Sequence, residues 1–254
     1  MENLLAWVDL TPVQFWICAG VIFLAGVVRG FSGFALSALV MASLAIMIPP
    51  IELIAVCWFL ELSASAIMVR GGFREADMKV VAGLIIGSAL GSPIGLYLTT
   101  TLPVETSKAV ALLLILVLAA TQLLKLRPKF LATGPGLYAS GLMAGIASGL
   151  ASVGGMIVAL YVLARDAPAR IMRASLVMFL FASSVMSFIF LYYYGMMVSV
   201  AALRGLVFAV PCMLGVLAGQ ALFMPRLEGY YRPFCLALLM FLAALGLVRL
   251  GMGG

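Results

Sequence analysis

Apolar residues run in ten stretches, at about 13–28, 34–48, 51–69, 79–101, 107–124, 135–150, 153–164, 171–194, 198–223 and 233–250, separated by short polar connections. Five stretches fall in each half. At about 1.5 Å per residue, six are long enough to cross roughly 30 Å of hydrocarbon as helices, and the first two of each half are short. Glycine interrupts both short pairs, at Gly30 and Gly33 in the first half and at Gly149, Gly154 and Gly155 in the second. Each pair is expected either to make two thin crossings or to form a re-entrant hairpin. Both cases leave an odd number of crossings per half, so the second half is expected to lie upside down relative to the first.

The halves also echo each other residue by residue. The segment LAATQLLKL at 118–126 returns as LAALGLVRL at 242–250. Gly26, Gly30 and Pro49 recur 119 residues later as Gly145, Gly149 and Pro168, and Gly91 and Gly95 recur 124 residues later as Gly215 and Gly219. The pattern predicts an all-α polytopic membrane protein of two inverted-topology repeats, 1–130 and 131–254, in a single membrane domain. Each repeat has two short glycine-broken helices and three full transmembrane helices. Transporters built this way hold their substrate at the interface between repeats.

Composition agrees. Hydrophobic residues make up 65% of the 254 positions and charged ones 9%, and the mean hydropathy is +1.25, which excludes an ordinary soluble domain. The charges carry orientation. Arg70, Arg74, Lys79, Lys125, Arg127, Lys129, Arg165, Arg170, Arg173, Arg226 and Arg232 fall in alternate connections and so on one side, while the facing connections hold little beyond Lys108. The positive-inside tendency makes the basic side cytoplasmic and puts both termini outside. The net charge of +6 then reports orientation and not a nucleic-acid surface. Glu2 and Asp9, with no basic residue ahead of the first apolar run, argue against a cleaved signal peptide. All four cysteines sit inside apolar runs and read as packing residues.

Chemistry is expected where the glycines break the helices. In GVVRGFSGFALSAL, residues 26–39, the backbone is expected to break near Gly30 and restart at about Gly33, with Ser32 capping the new helix. A restarting helix points bare amide N–H groups and the positive end of its dipole into the break, and Arg29 stands beside it. The second half repeats the arrangement at 145–158 with Ser148 and Ser152 but without an arginine. Two such termini and one fixed positive charge make an anion site. The plainer reading has Arg29 snorkelling to phosphates at the end of its helix.

Glu61 lies in the middle of an apolar run, where an unpaired carboxylate is expensive. It is expected to be protonated, paired with a cation such as Arg29, or facing a wet cavity, where it can exchange a proton and couple transport to the proton gradient. Its counterpart falls near Phe181. Arg204 is a secondary candidate that can also snorkel, and Tyr192, Tyr193 and Tyr194 read first as an interfacial belt. Gly83, Gly87, Gly91 and Gly95 share one helix face, which fits either a joint between the halves or a homodimer.

The pattern Arg29-Gly30-Phe31-Ser32-Gly33-Phe34, the second-half Ser152-Val153-Gly154-Gly155 and the Ala169-Arg170 to Arg173-Ala174-Ser175 connection resemble the TauE/SafE family of sulfite and organosulfonate exporters. The similarity spans about residues 13–250. It implies a secondary transporter in the bacterial cytoplasmic (inner) membrane that exports small sulfur-containing anions such as sulfoacetate or sulfite. By the resemblance, Arg29, Ser32, Gly33, Phe34, Ser152, Gly154 and Gly155 are the candidate substrate contacts; the residues themselves add Ser148 and Arg204 as secondary candidates and Glu61 as the coupling candidate. The chain departs from the family at Met156, where proline often follows the glycine pair, and at Ala35, where glycine often stands.

No cofactor or metal is expected. Gly30-Phe31-Ser32-Gly33 superficially resembles the Gly-x-Ser-Gly of rhomboid proteases, but the sequence has no histidine to activate the serine. An enzyme is therefore the poorer reading. A passive channel for small oxyanions or carboxylates is the closer rival. The expected partners are a small anion and the bilayer.

Overall fold

Thr11 starts the first membrane helix. Its hydroxyl accepts from the amide of Gln14, whose side chain accepts in return from the Thr11 amide, and Pro12 follows at the first helical position. From there α1 (Pro12–Ser32) runs unbroken through Gly26 and Gly30. A computed structural model describes residues 7–69, 75–126, 128–165, 169–222 and 228–252; Arg70, Arg74, Arg127, Pro168 and Arg226 lie outside them. Among the described residues there are ten α-helices and no strand. After α1 come α2 (Leu36–Leu44), α3 (Pro50–Met68), α4 (Met78–Thr101) and α5 (Val104–Leu123). A 3-10 turn then leads into α6 (Gly134–Ala151), α7 (Gly154–Ala164), α8 (Ala169–Tyr193), α9 (Ser199–Ala221) and α10 (Glu228–Gly251).

Seven of these helices are long and apolar enough to span a bilayer: α1, α3, α4, α5, α8, α9 and α10. The first helix of each expected short pair is in fact long, 21 residues in α1 and 18 in α6. Only the second is short, 9 residues in α2 and 11 in α7. Tertiary packing explains the correction. Glycine weakens an isolated helix, but Gly30 is where the backbone of α9 comes closest, and a methyl group there would run into the carbonyl oxygen of Val216. Gly149 is held equally close to the backbone of α4 at Gly95 and Leu96. What the glycines lose in propensity they return in close approach.

The packing is crosswise. α1 lies parallel to α9, with Gly26 and Gly30 against Gly215 and Gly219, and α6 lies parallel to α4, with Gly145 and Gly149 against Gly91 and Gly95. α9 also packs on α3 as α4 packs on α8, and α5 and α10, which carry the echoed nine-residue segments, pack on one another. The glycine face of α4 is thus covered by α6 of the same chain.

Polar contacts mark the two ends of the bundle. At one, the Arg204 guanidinium near the start of α9 donates to the carbonyls of Val8 (2.7 Å) and Asp9 (3.0 Å) and pairs with Glu52 in the first turn of α3. At the other, Ser175 of α8 accepts from the Asp77 amide at 2.9 Å, Asp77 pairs with Arg165 at 3.7 Å, and Arg173 donates to the Gly30 carbonyl at 2.6 Å. α1 and α3 both begin at the Arg204 end, so α2 and its flanking residues bring the chain back there.

Candidate functional site

The first break spans Gly33 to Ala35. Gly33 has φ 81° and Ala35 φ 74°, so two residues in three adopt the left-handed conformation before α2 begins. Ala35 holds it at a cost that glycine, frequent at this position in the resembling pattern, does not bear. Ser32 does not cap the new helix. It is the last residue of α1, and its hydroxyl donates back to the carbonyls of Val28 (2.7 Å) and Phe34 (2.8 Å).

The start of α2 is served by Glu61. One carboxylate oxygen accepts from the Ser37 hydroxyl at 2.8 Å and from the Ser37 amide at 3.4 Å, and the other faces the Arg29 guanidinium at 3.2 Å. Arg29 also donates to the Ser65 hydroxyl at 2.9 Å and to the Gly33 carbonyl. Its side chain is 0% exposed. The carboxylate expected to need a partner and the helix terminus expected to need an anion therefore satisfy each other, and the arginine neutralises the pair. No snorkelling is involved. At this break the start of α2 is occupied by the protein's own carboxylate.

The second break turns through one left-handed residue where the first uses two, and its contents differ. Ser152 adopts φ 57° at the position equivalent to Gly33, and α7 begins without a side-chain cap. Gln122 of α5 donates to the Met156 carbonyl at 3.1 Å and holds the first turn of α7. By the repeat spacing Ser148 stands where Arg29 does, and Phe181 near where Glu61 does. A cleft opens beside this break, with room for about 50 Å³ inside it.

Ser148, Gly149, Ser152 and Gly155 line this cleft from the break. Ile54, Trp58 and Glu61 line it from α3, Ser92 and Leu96 from α4, and Leu180, Ser183, Ser184, Ser187 and Leu191 from α8. The Ser183 and Ser184 hydroxyls donate to the Leu180 carbonyl at 3.3 and 2.7 Å, and the Trp58 indole donates to the Ser184 carbonyl at 2.6 Å. Ser92 is buried, and its hydroxyl has no hydrogen-bond partner among the described residues. Glu61 joins the two regions, lining the cleft while capping α2.

Serine hydroxyls and apolar side chains of long apolar helices together wall this cleft. The family model described as Sulfite exporter TauE/SafE matches residues 18–246. The chain belongs to the TauE/SafE family. No curated protein and no solved structure matches it. With seven apolar spans, this TauE/SafE member is a multi-pass membrane transport protein, and family membership agrees with the expectation that it is not an enzyme.

Of the positions singled out in the sequence, Ser148, Ser152, Gly155 and Glu61 meet at the cleft. Gly154 packs behind it against Ala144 and Ser148. Arg29, Ser32, Gly33 and Phe34 belong to the first break and are not among the cleft's lining residues. Arg204 lies at the end of the bundle, clamped to Glu52. Sequence reading missed Ser92, Ser183, Ser184, Ser187 and Trp58. The signal was there in part, since three serines within five positions of α8 interrupt a run that is otherwise almost wholly apolar, and Ile54, Trp58 and Glu61 fall on one helix face.

Proposed function

We propose that this TauE/SafE member is a secondary transporter that exports small sulfur-containing anions, sulfonates such as sulfoacetate or sulfite, across the bacterial cytoplasmic membrane. The observation that carries this reading is the serine-lined cleft at an uncapped helix start, between α3 and α4 of one half and α6, α7 and α8 of the other. Hydroxyls, backbone amides and the positive end of α7 are donors suited to oxyanions.

The crosswise glycine packing supports two inverted repeats, 1–130 and 131–254, and alternating access by movement of one half against the other. The Asp77, Arg165 and Arg173 end is the cytoplasmic one by its positive charge, which puts both termini and the Arg204 clamp outside. In this reading the substrate is held by Ser148, Ser152 and the backbone at Gly154 and Gly155. Arg29, Ser32, Gly33 and Phe34 shape the first break, and Arg29 holds Glu61. Glu61, lining the cleft, is the group through which a proton can be exchanged. Export needs no coupling ion, since expelling one negative charge from a negative cytoplasm gains about 2.3 kcal/mol per 100 mV.

The test is counterflow in proteoliposomes loaded with unlabelled sulfoacetate or sulfite. Saturable uptake of labelled anion, accelerated by the internal load, is the expected result. Flux that rises linearly with concentration and ignores the load would identify a passive channel instead.

A further inference from the structure

The cleft reaches toward one end of the bundle. Ser92 and Leu96 lie in the later half of α4, Ser183, Ser184, Ser187 and Leu191 in the later half of α8, and Ile54 and Trp58 in the first half of α3. These parts all belong to the Arg204 end, since α3 starts there while α4 and α8 start at the Asp77 end. At the Asp77 end the corresponding place is shut. By the spacing of Pro49 and Pro168, Arg173 is the counterpart of Ile54, and Ser65 that of Ser184. Ile54 and Ser184 line the open cleft. Arg173 instead reaches across the first break. Its Cγ lies 3.3 Å from where a methyl group on Gly33 would sit, and its guanidinium donates to the Gly30 carbonyl at 2.6 Å. A cation on one of the last carbonyls of α1 also meets the negative end of that helix's dipole. Ser65 is 0% exposed.

The Arg173 bond joins two groups of helices. α1 is fixed to α9 by the glycine contacts, and α3 packs on α9. α8 is tied to the start of α4 by Ser175, and α4 is fixed to α6. The cleft lies between the groups, with α3 on one wall and α4, α6 and α8 on the other. The walls also meet inside it, where Trp58 donates to the Ser184 carbonyl. Resting on the transport reading and its orientation above, we infer that this is the outward-open state, from which the anion leaves, and that Arg173 is the latch closing the cytoplasmic side. Breaking its bond to Gly30 frees α8 from the end of α1 and lets the walls part at the Asp77 end. Ser65 then takes the place that Ser184 has in the cleft.

Single cysteines report which side each place faces. Ser148→Cys and Ser65→Cys in the full chain are labelled with a membrane-impermeant thiol reagent in right-side-out and inside-out membrane vesicles. Ser148→Cys is expected to react from the outside and not from the cytoplasmic face, and Ser65→Cys only slowly from either. Adding Arg173→Gln should raise cytoplasmic labelling of Ser65→Cys about tenfold, the shift expected from losing one hydrogen bond made by a charged group. Arg173→Lys, which keeps the charge over the break, should fall between, and it carries the same test should Arg173→Gln not fold. Cytoplasmic labelling of Ser148→Cys as fast as outside labelling would overturn the outward-open assignment with Arg173 still in place. Labelling of Ser65→Cys that ignores both substitutions would overturn the latch and leave transport standing. Counterflow of labelled methanesulfonate, a one-carbon sulfonate, is measured on the parent alongside, and its absence would overturn the transport reading and this inference with it.

Discussion

The two helix breaks share a backbone design and differ in what fills them. Each follows a long helix seated by glycines on a helix of the other half, turns through a left-handed residue, Gly33 or Ser152, and starts a short helix with no side-chain cap from its own N-cap residue. In the first break a carboxylate from α3 binds the new helix start and a buried arginine neutralises it. In the second a serine replaces the arginine, and a cleft opens beside the break. The comparison teaches that a helix break builds the potential for an anion site, and that one or two side chains decide whether the protein or a solute fills it.

The sharpest way to break the comparison is at the ion pair. Arg29→Ala and Glu61→Ala each leave a buried charge without its partner and should each lower stability by about 3–5 kcal/mol, read as melting temperature in detergent. The double variant should be closer to the parent than either single one. Additive losses would mean that the two residues do not act as a pair. Next in size, Gly30→Ala and Gly149→Ala force a methyl group into facing backbone and should each cost about 1–3 kcal/mol by overpacking. Unchanged melting at either position would dissolve the crosswise joint between the halves.

The serines sharpen the contrast in function. Ser152→Gly removes a cleft hydroxyl while easing its backbone, and should raise the half-saturating methanesulfonate concentration by about tenfold, as expected for a hydrogen bond to an ion. Ser32→Ala, whose hydroxyl only serves α1 and Phe34, should leave that concentration unchanged. Equal effects at the two positions would erase the distinction between the breaks. Smallest of all, Ala35→Gly should stabilise by about 1 kcal/mol by relieving the left-handed strain, measured as a small rise in melting temperature.

Much of the architecture was legible in the sequence, because apolar length and spacing are local properties. Each of the ten segments corresponds to one of the ten helices among the described residues. The glycine echoes, Gly26 and Gly30 with Gly145 and Gly149 in one set and Gly91 and Gly95 with Gly215 and Gly219 in the other, name the very positions that meet across the halves. Helix limits were less legible. Gly26 and Gly30 lower helix propensity, yet α1 passes through both because α9 needs them to come close, a reason that lies in another part of the chain. The partner proposed for Glu61 is the one it has, but its cap on α2 is not readable from spacing, since Ser37 and Glu61 stand 24 residues apart. The open cleft depends on Ser92, Ser183 and Ser187 arriving from two helices, and single serines in apolar runs look alike whether they face lipid, a neighbour or water.

Cysteine accessibility tests the central claim most directly. All four native cysteines are buried, so single replacements Ser148→Cys in the second break and Ser37→Cys in the first can be labelled with a small charged thiol reagent in proteoliposomes. The account predicts that Ser148→Cys reacts quickly and is protected by methanesulfonate, while Ser37→Cys stays unlabelled. Equal labelling of both, with no protection at Ser148→Cys, would contradict the assignment of one break to the protein and the other to its substrate.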